Sequence, residues 1–240
     1  MEIIAEPHSH TVACSHAYST LYENVQAAKQ KGLRFLCSTE HGSAMPGAPE
    51  PLYFGNLKTL PDVIDGIIVL KGAEANILDY EGSLDVKPSH LEKLGWVIAS
   101  YHDVTCQHAS IADHTAGWIA VAKNPLVDVI GHCGDERFRF DYEAGVQAFA
   151  KYGKIVEINA HSFDCRPGAS ENCREIALLC KKYRVPVVCS SDAHFFTHIG
   201  DTKAAEKMLC EIDFPEELIL NANYDRFLAV AREKTGRQLV

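Results

Sequence analysis

The sequence lacks any apolar run approaching the roughly 18–20 residues of a membrane span. Its first residues, Met1-Glu2-Ile3-Ile4-Ala5-Glu6, carry neither the basic start nor the long apolar core of a secretory leader. The expectation is a soluble, cytoplasmic protein with no membrane partner. Positive charge is also scarce: 23 Lys and Arg face 32 Asp and Glu, for a formal net charge of -9 and a pI near 5.7. An acidic chain has no broad basic face for duplex nucleic acid or an anionic membrane surface. Short or single-nucleotide substrates remain compatible with it.

Linkers are missing too. No Pro/Gly/Ser-rich stretch or shift of composition divides the 240 residues, so residues 1–240 read as one domain. The nine cysteines include no C-x-x-C pair, and Cys37, Cys180, Cys189 and Cys210 sit in apolar runs. They are expected to be reduced, buried thiols.

What the sequence has in excess is histidine, 12 of 240 residues. The positions follow a rule: apolar runs end in His, Asp or Glu. Ile3-Ile4-Ala5 leads into Pro7-His8-Ser9-His10, and in an extended chain His8 and His10 point to one side, within reach of one cation. Leu33 to Thr39 runs into Glu40-His41-Gly42, Ile67 to Ala73 into Glu74, and Trp96 to Tyr101 into His102. Val127 to Gly131 ends in His132, Lys154 to Asn159 is followed by His161, and Val185 to Ser191 by Asp192-Ala193-His194. A carboxylate behind a run as apolar as that before Glu74 is costly to bury unless it is paired or metal-bound.

Helical periodicity fills the intervals. One helix starts at Ser19 as N-cap and stops at Gly32; others span 111–122, 142–152, 171–183, 202–210 and 224–234. Ser43 to Asn56, with Pro46, Pro49 and Pro51, reads as a long irregular loop on the side of the histidines. Seven apolar strands alternating with helices predict a parallel α/β sheet buried on both faces, with its chemistry at the carboxyl ends of the strands. Residues of the first and last strands must meet there, which favours a closed barrel.

His8-x-His10, His16, Thr39-Glu40-His41-Gly42, Gly72-Ala73-Glu74, Tyr101-His102, Gly131-His132 and Ser191-Asp192-Ala193-His194, in this order, resemble the metal-ligand set of the polymerase and histidinol phosphatase (PHP) superfamily. The likeness covers essentially the whole chain and is nearest to small stand-alone bacterial phosphatases of the YcdX type. It implies the PHP fold, a distorted seven-stranded (βα)7 TIM-like barrel, with three divalent ions at its carboxyl end. By the same resemblance His8, His10, Glu74 and Asp192 hold the first ion. Glu74 bridges to a second held by His102 and His132, and His16, His41 and His194 hold the third. Glu74 and Asp192 thereby become catalytic residues.

The residue types fit that implication. Imidazole-rich ligation with few carboxylates suits zinc, with manganese or iron as alternatives. Neutral imidazoles and only two carboxylates leave three dications a strongly positive pocket, which calls for a small phosphorylated substrate. Hydrolysis of a phosphomonoester by metal-activated water, with no covalent intermediate, is the expected activity. A phosphodiesterase or exonuclease acting on short nucleic-acid ends is the alternative, and a non-catalytic metal-binding subunit is the reading from another class. Arg166 is the expected phosphate clamp, because a guanidinium matches phosphate bidentately. Asn159 and His161 share its rim, Arg137 and Arg139 are weaker candidates for the clamp, and Asp103 could orient a ligand or protonate the leaving group. His90, His108, His114 and His198 fit no ligand pattern and read as surface or outer groups. The natural substrate, the general acid and homo-oligomerisation are left open.

Overall fold

The computed structural model describes residues 1–239. Its strands are β1 (Ala5–Ser9), β2 (Phe35–Ser38), β3 (Val63–Ile64), β4 (Ile67–Asn76), β5 (Trp96–Ser100), β6 (Val129–Ile130), β7 (Ile155–Asn159) and β8 (Val187–Ser190). Seven of them run parallel in the order β1-β2-β4-β5-β6-β7-β8, and the short β3 pairs antiparallel with β4. A bridge between Ser9 and Ala193 brings the two ends of the sheet together, with the His10 N–H donating to the Ala193 carbonyl at 2.9 Å. The result is the nearly closed α/β barrel that the strand-helix alternation predicts.

The helices that cover it are α1 (Leu21–Gln30), α2 (Leu52–Asn56), α3 (Pro88–Leu91), α4 (Ile111–Lys123), α5 (Tyr142–Lys151), α6 (Ser162–Cys165), α7 (Ala169–Tyr183), α8 (Lys203–Glu211) and α9 (Tyr224–Thr235). Helices α4, α5, α7 and α8 bury an apolar stripe against the outer wall of the sheet, through Trp118, Val146, Phe149, Ile176 and Met208. Inside, Phe35, Ile68, Leu70, Trp96, Ile98, Val129, Ile155 and Val188 form an apolar plug, which Phe227 of α9 closes from below. Side chains alternate along a strand. The parity that turns Leu70, Ile155 and Val188 into the plug therefore also turns Glu74, Glu157 and Asp192 inward, one or two steps nearer the carboxyl end.

Strand β1 would break this rule without an irregularity. Ala5 pairs with Phe35 and Glu6 with Leu36, but Ser9 pairs with Ser38, so β1 holds one extra residue. The bulge reverses the side-chain parity and turns His8 and His10, rather than Pro7 and Ser9, toward the axis. Pro7 is tolerated there because a bulge needs no ladder donor from it.

Several sequence expectations need correction. The N-cap of α1 is Thr20, not Ser19: its hydroxyl accepts the Glu23 N–H at 3.2 Å, and the Glu23 carboxylate returns to the Thr20 N–H at 2.7 Å. Ser19 is buried and instead accepts the Phe196 N–H at 2.7 Å. The stretch from Ser43 to Asn56 is not wholly irregular, because α2 lies within it and buries Phe54 against the core. No alternation of residues announces β3, which is only two residues long. All nine cysteines are free thiols, yet Cys165 and Cys210 are exposed, the latter because it lies on the outer face of α8. Among the described residues no helix is long and apolar enough to cross a membrane.

Candidate metal centre

The nine residues expected as ligands converge at the carboxyl end of the barrel. Glu74 is at the middle, fully buried, with one oxygen or the other within 3.5 Å of five imidazoles. Its Oε1 faces His132 Nε2 at 2.8 Å and His102 Nε2 at 3.4 Å; its Oε2 faces His41 Nδ1 at 2.7 Å, His8 Nε2 at 3.3 Å and His10 Nε2 at 3.5 Å. Asp192 Oδ1 lies 3.4 Å from His8 Nε2 and 3.2 Å from His10 Nε2. The His16 ring completes the group, with its centroid 5.1 Å from that of His41 and 5.0 Å from that of His194.

The grouping is more continuous than three separate sets. His10 stands with His41 and His194 as well as with His8 and Glu74, and His41 also stands with Glu74 and His102. His10 and His41 are therefore shared between sets that the resemblance keeps apart.

Backbone and outer side chains hold these groups in place. Asp192 has φ +52 and His132 φ +23, left-handed values that non-glycine residues rarely adopt. His102 is fixed through Nδ1 by Asn76 Oδ1 at 2.8 Å, and His194 Nδ1 donates to the Asp192 carbonyl at 2.9 Å. Both arrangements leave Nε2 for the cavity. The glycine of the Glu40-His41-Gly42 motif has a steric role: a β-carbon there would strike the Asp85 carboxylate, which holds the Ala44 N–H and the Asn76 amide group.

Ionisation follows from burial and mutual charge. Burial, reinforced by neighbouring His41, draws His10 well below the ordinary histidine range, and His16 is lowered for the same reasons. Burial also lowers His102 and His194. Burial works against ionised Glu74 and Asp192, but the surrounding imidazoles outweigh it and hold both well below the usual carboxylate range. His8 is the exception: burial works against its charge, but Asp192, Glu157 and Glu74 outweigh that and raise it well above the ordinary histidine range. Neutral imidazoles and ionised carboxylates are the protonation states that bind metal, so a cation competes with the second proton on His8. His10 Nδ1, His41 Nδ1, Glu74 Oε2, His102 Nε2 and Asp192 Oδ1 are buried and have no hydrogen-bond partner. Orphaned polar atoms are costly in a protein interior, and a set of them converging from opposite walls fits divalent cations.

No family model matches the chain. It is 42% identical over 237 residues to a probable phosphatase of Acetivibrio thermocellus, covering 99% of this chain and 98% of the relative. To a probable phosphatase of Caldicellulosiruptor saccharolyticus it is 47% identical over 232 residues, 97% of each chain. Its fold matches that of a histidinol phosphate phosphatase from Lactococcus lactis, solved with zinc, L-histidinol and phosphate. The TM-score is 0.66 at 19% identity, covering 88% of this chain and 94% of that one. The chain belongs to the family of these probable phosphatases.

Not every residue picked out in the sequence of this phosphatase-family chain reaches the centre. Arg166 does: half-buried at the end of α6, it donates to Ser162 Oγ at 2.8 Å and reaches Asp192 Oδ2 at 3.4 Å. Asn159 donates to the same Asp192 oxygen at 3.1 Å, while His161 is exposed on the rim. Arg137 is committed to Asp135 and Asp103, at 2.6 and 2.5 Å, so neither it nor Asp103 is free for the roles considered. Arg139 pairs with Glu136. His114 is not a surface group; it is buried, accepting the Ala109 N–H at 2.9 Å and holding the Arg139 carbonyl at 2.8 Å.

Two buried carboxylates that back the expected ligands were given no role in the sequence reading. Glu40 accepts the Thr11 N–H at 3.1 Å beneath His10, and Glu157 lies against His8 and His132. Glu157 carried a signal: like Glu74, it is a lone acid inside an otherwise apolar strand.

Proposed function

We propose that the chain is a metal-dependent phosphomonoesterase working at a trinuclear site. The observation that carries this reading is the orphaned, buried set of histidine and carboxylate atoms around Glu74. His8, His10, Glu74 and Asp192 would hold one cation, Glu74, His102 and His132 a second, and His16, His41 and His194 a third. Zinc is the preferred ion, on the imidazole-rich donor set, with manganese and iron as alternatives. Such ions, when bound, supply Lewis acidity that lowers the pKa of water and neutralises phosphate oxygens.

The chain's own residues do the rest. The closed barrel wall and the plug below keep the carboxyl end open as the route for substrate. Arg166, held by Ser162 and Asp192, presents its remaining guanidinium donors as a clamp for a phosphoryl group. Its tether to Asp192 places that clamp beside the first group of ligands. The chain's net charge of -9, with metal cations only where the ligand cluster would hold them, supports a small phosphorylated substrate over duplex nucleic acid.

The test is turnover of p-nitrophenyl phosphate against its bis ester, using protein stripped by chelator and reloaded with zinc, manganese or iron. Monoester hydrolysis dependent on reloading is expected. Turnover of the diester alone, or of neither substrate at full metal occupancy, would overturn the reading.

A further inference from the structure

We propose that Glu157 is a positioning residue that sets two metal-facing histidines at once, an inference that rests on the metal-centre reading above. Glu157 comes from β7, yet its carboxylate reaches groups that follow or belong to three other strands. Oε1 lies 2.6 Å from His8 Nδ1 and accepts from Ser190 Oγ at 2.7 Å; Oε2 accepts the backbone N–H of His132 at 2.6 Å. The residue is 1% exposed, with both oxygens engaged.

Each contact has a separate consequence. A carboxylate in this position only accepts, so the His8 ring carries its proton on Nδ1. That leaves the Nε2 lone pair directed at the space between Glu74 and Asp192, 3.3 and 3.4 Å away. The second contact holds the His132 backbone at φ +23, a conformation that costs about 1–3 kcal/mol unless neighbours enforce it. In that conformation His132 Nε2 meets Glu74 Oε1 at 2.8 Å. One side chain therefore fixes the tautomer of a group in the first ligand set and the backbone of a group in the second. It touches nothing in the third.

Glutamine cannot replace it. Three donors converge on the carboxylate, and an amide of the same shape would turn its NH2 toward at least one of them. Aspartate is one methylene short and cannot reach both histidines from the same strand position.

The experiment is zinc titration against a competing chelator, using the chelator-stripped full chain, wild type, Glu157→Gln and Ser190→Ala. In Glu157→Gln two zinc equivalents should weaken by roughly 10–100-fold, the range typical for loss of an outer partner. The third, held by His16, His41 and His194, should keep its wild-type affinity. Ser190→Ala, which leaves both histidine contacts in place, should bind like the wild type. Wild-type affinity throughout in Glu157→Gln, or equal weakening of all equivalents in both variants, would overturn the proposal. Nitrogen-15 NMR of the imidazoles in metal-free wild type decides it without a variant: His8 Nδ1 should carry a proton, and a ring protonated at Nε2 alone would refute the claim. The two readings fail separately, because absence of zinc uptake by the wild type counts against the phosphoesterase proposal, whereas the proton on His8 Nδ1 is read with no metal present.

Discussion

His41 Nδ1 and Glu74 Oε2 stand 2.7 Å apart, both buried, and form no hydrogen bond with each other or with any other group. An imidazole nitrogen and a carboxylate oxygen left unpaired this close together in the interior are donor atoms that a cation can satisfy. A cation between such groups removes the cost of leaving them unpaired. The centre should therefore be less stable empty than filled.

Zinc added to chelator-stripped protein should raise the unfolding temperature. A free concentration 100 times the dissociation constant contributes about 2.7 kcal/mol for each independent site. Glu74→Gln, which removes the carboxylate shared by five imidazoles, should lose most of that gain and lower kcat by more than about 100-fold, exceeding the roughly 10–100-fold cost of an outer partner. Calorimetry with and without zinc checks both; an unshifted transition in the wild type contradicts the metal centre.

Arg166→Ala should reduce kcat/KM for a phosphomonoester by about 100-fold, equivalent to roughly 2.7 kcal/mol. Arg166→Lys should recover only part of it, because an ammonium cannot reproduce the bidentate fork. Steady-state kinetics at full zinc occupancy measures this. Activity within threefold of wild type in the alanine variant would remove the clamp.

Gly42→Ala should destabilise the fold by about 1–3 kcal/mol, the usual cost of forcing a methyl group into filled space. The added carbon displaces the Asp85 carboxylate, and with it Asn76, which anchors His102. Urea unfolding gives the loss of stability. Unchanged stability would show that Asp85 yields freely.

Arg137 and Asp135 supply a pH test outside the ligand set. Burial pushes Asp135 up, but its hydrogen bonds from the Arg137 side chain and backbone outweigh that and hold it below its ordinary value of 3.8. A carboxylate depressed on folding contributes stability that is present above its unfolded pKa and disappears as pH falls through its folded one. Arg137→Met should accordingly be less stable than wild type at pH 7, with the difference closing below about pH 3.8. Urea unfolding of both chelator-stripped proteins between pH 3 and 7 resolves it, and a difference independent of pH would assign the effect to packing.

Much of the centre was legible in the residues because a parallel barrel gathers whatever stands at its strand ends. Glu74, His102, His132 and Asp192 each follow an apolar run, so their convergence needed only the alternation of strand and helix. Glu157 was not legible in the same way. It lies inside β7, two residues before the strand ends, and its partners come from β1 and from beyond β6. Sequence spacing says nothing about which carboxylate lies beneath which imidazole.

By itself, then, the sequence determined the fold class, the end of the barrel where chemistry collects and the residue types there, since each follows from local periodicity and from what a buried strand tolerates. Only the tertiary structure decided which way His8 and His10 face, because a one-residue bulge near Pro7 reverses the parity of β1. It also decided the sharing of His10 and His41 between ligand sets and the strained backbones of His132 and Asp192. Those features depend on contacts between strands far apart in the chain, and such contacts exist only once the barrel has closed.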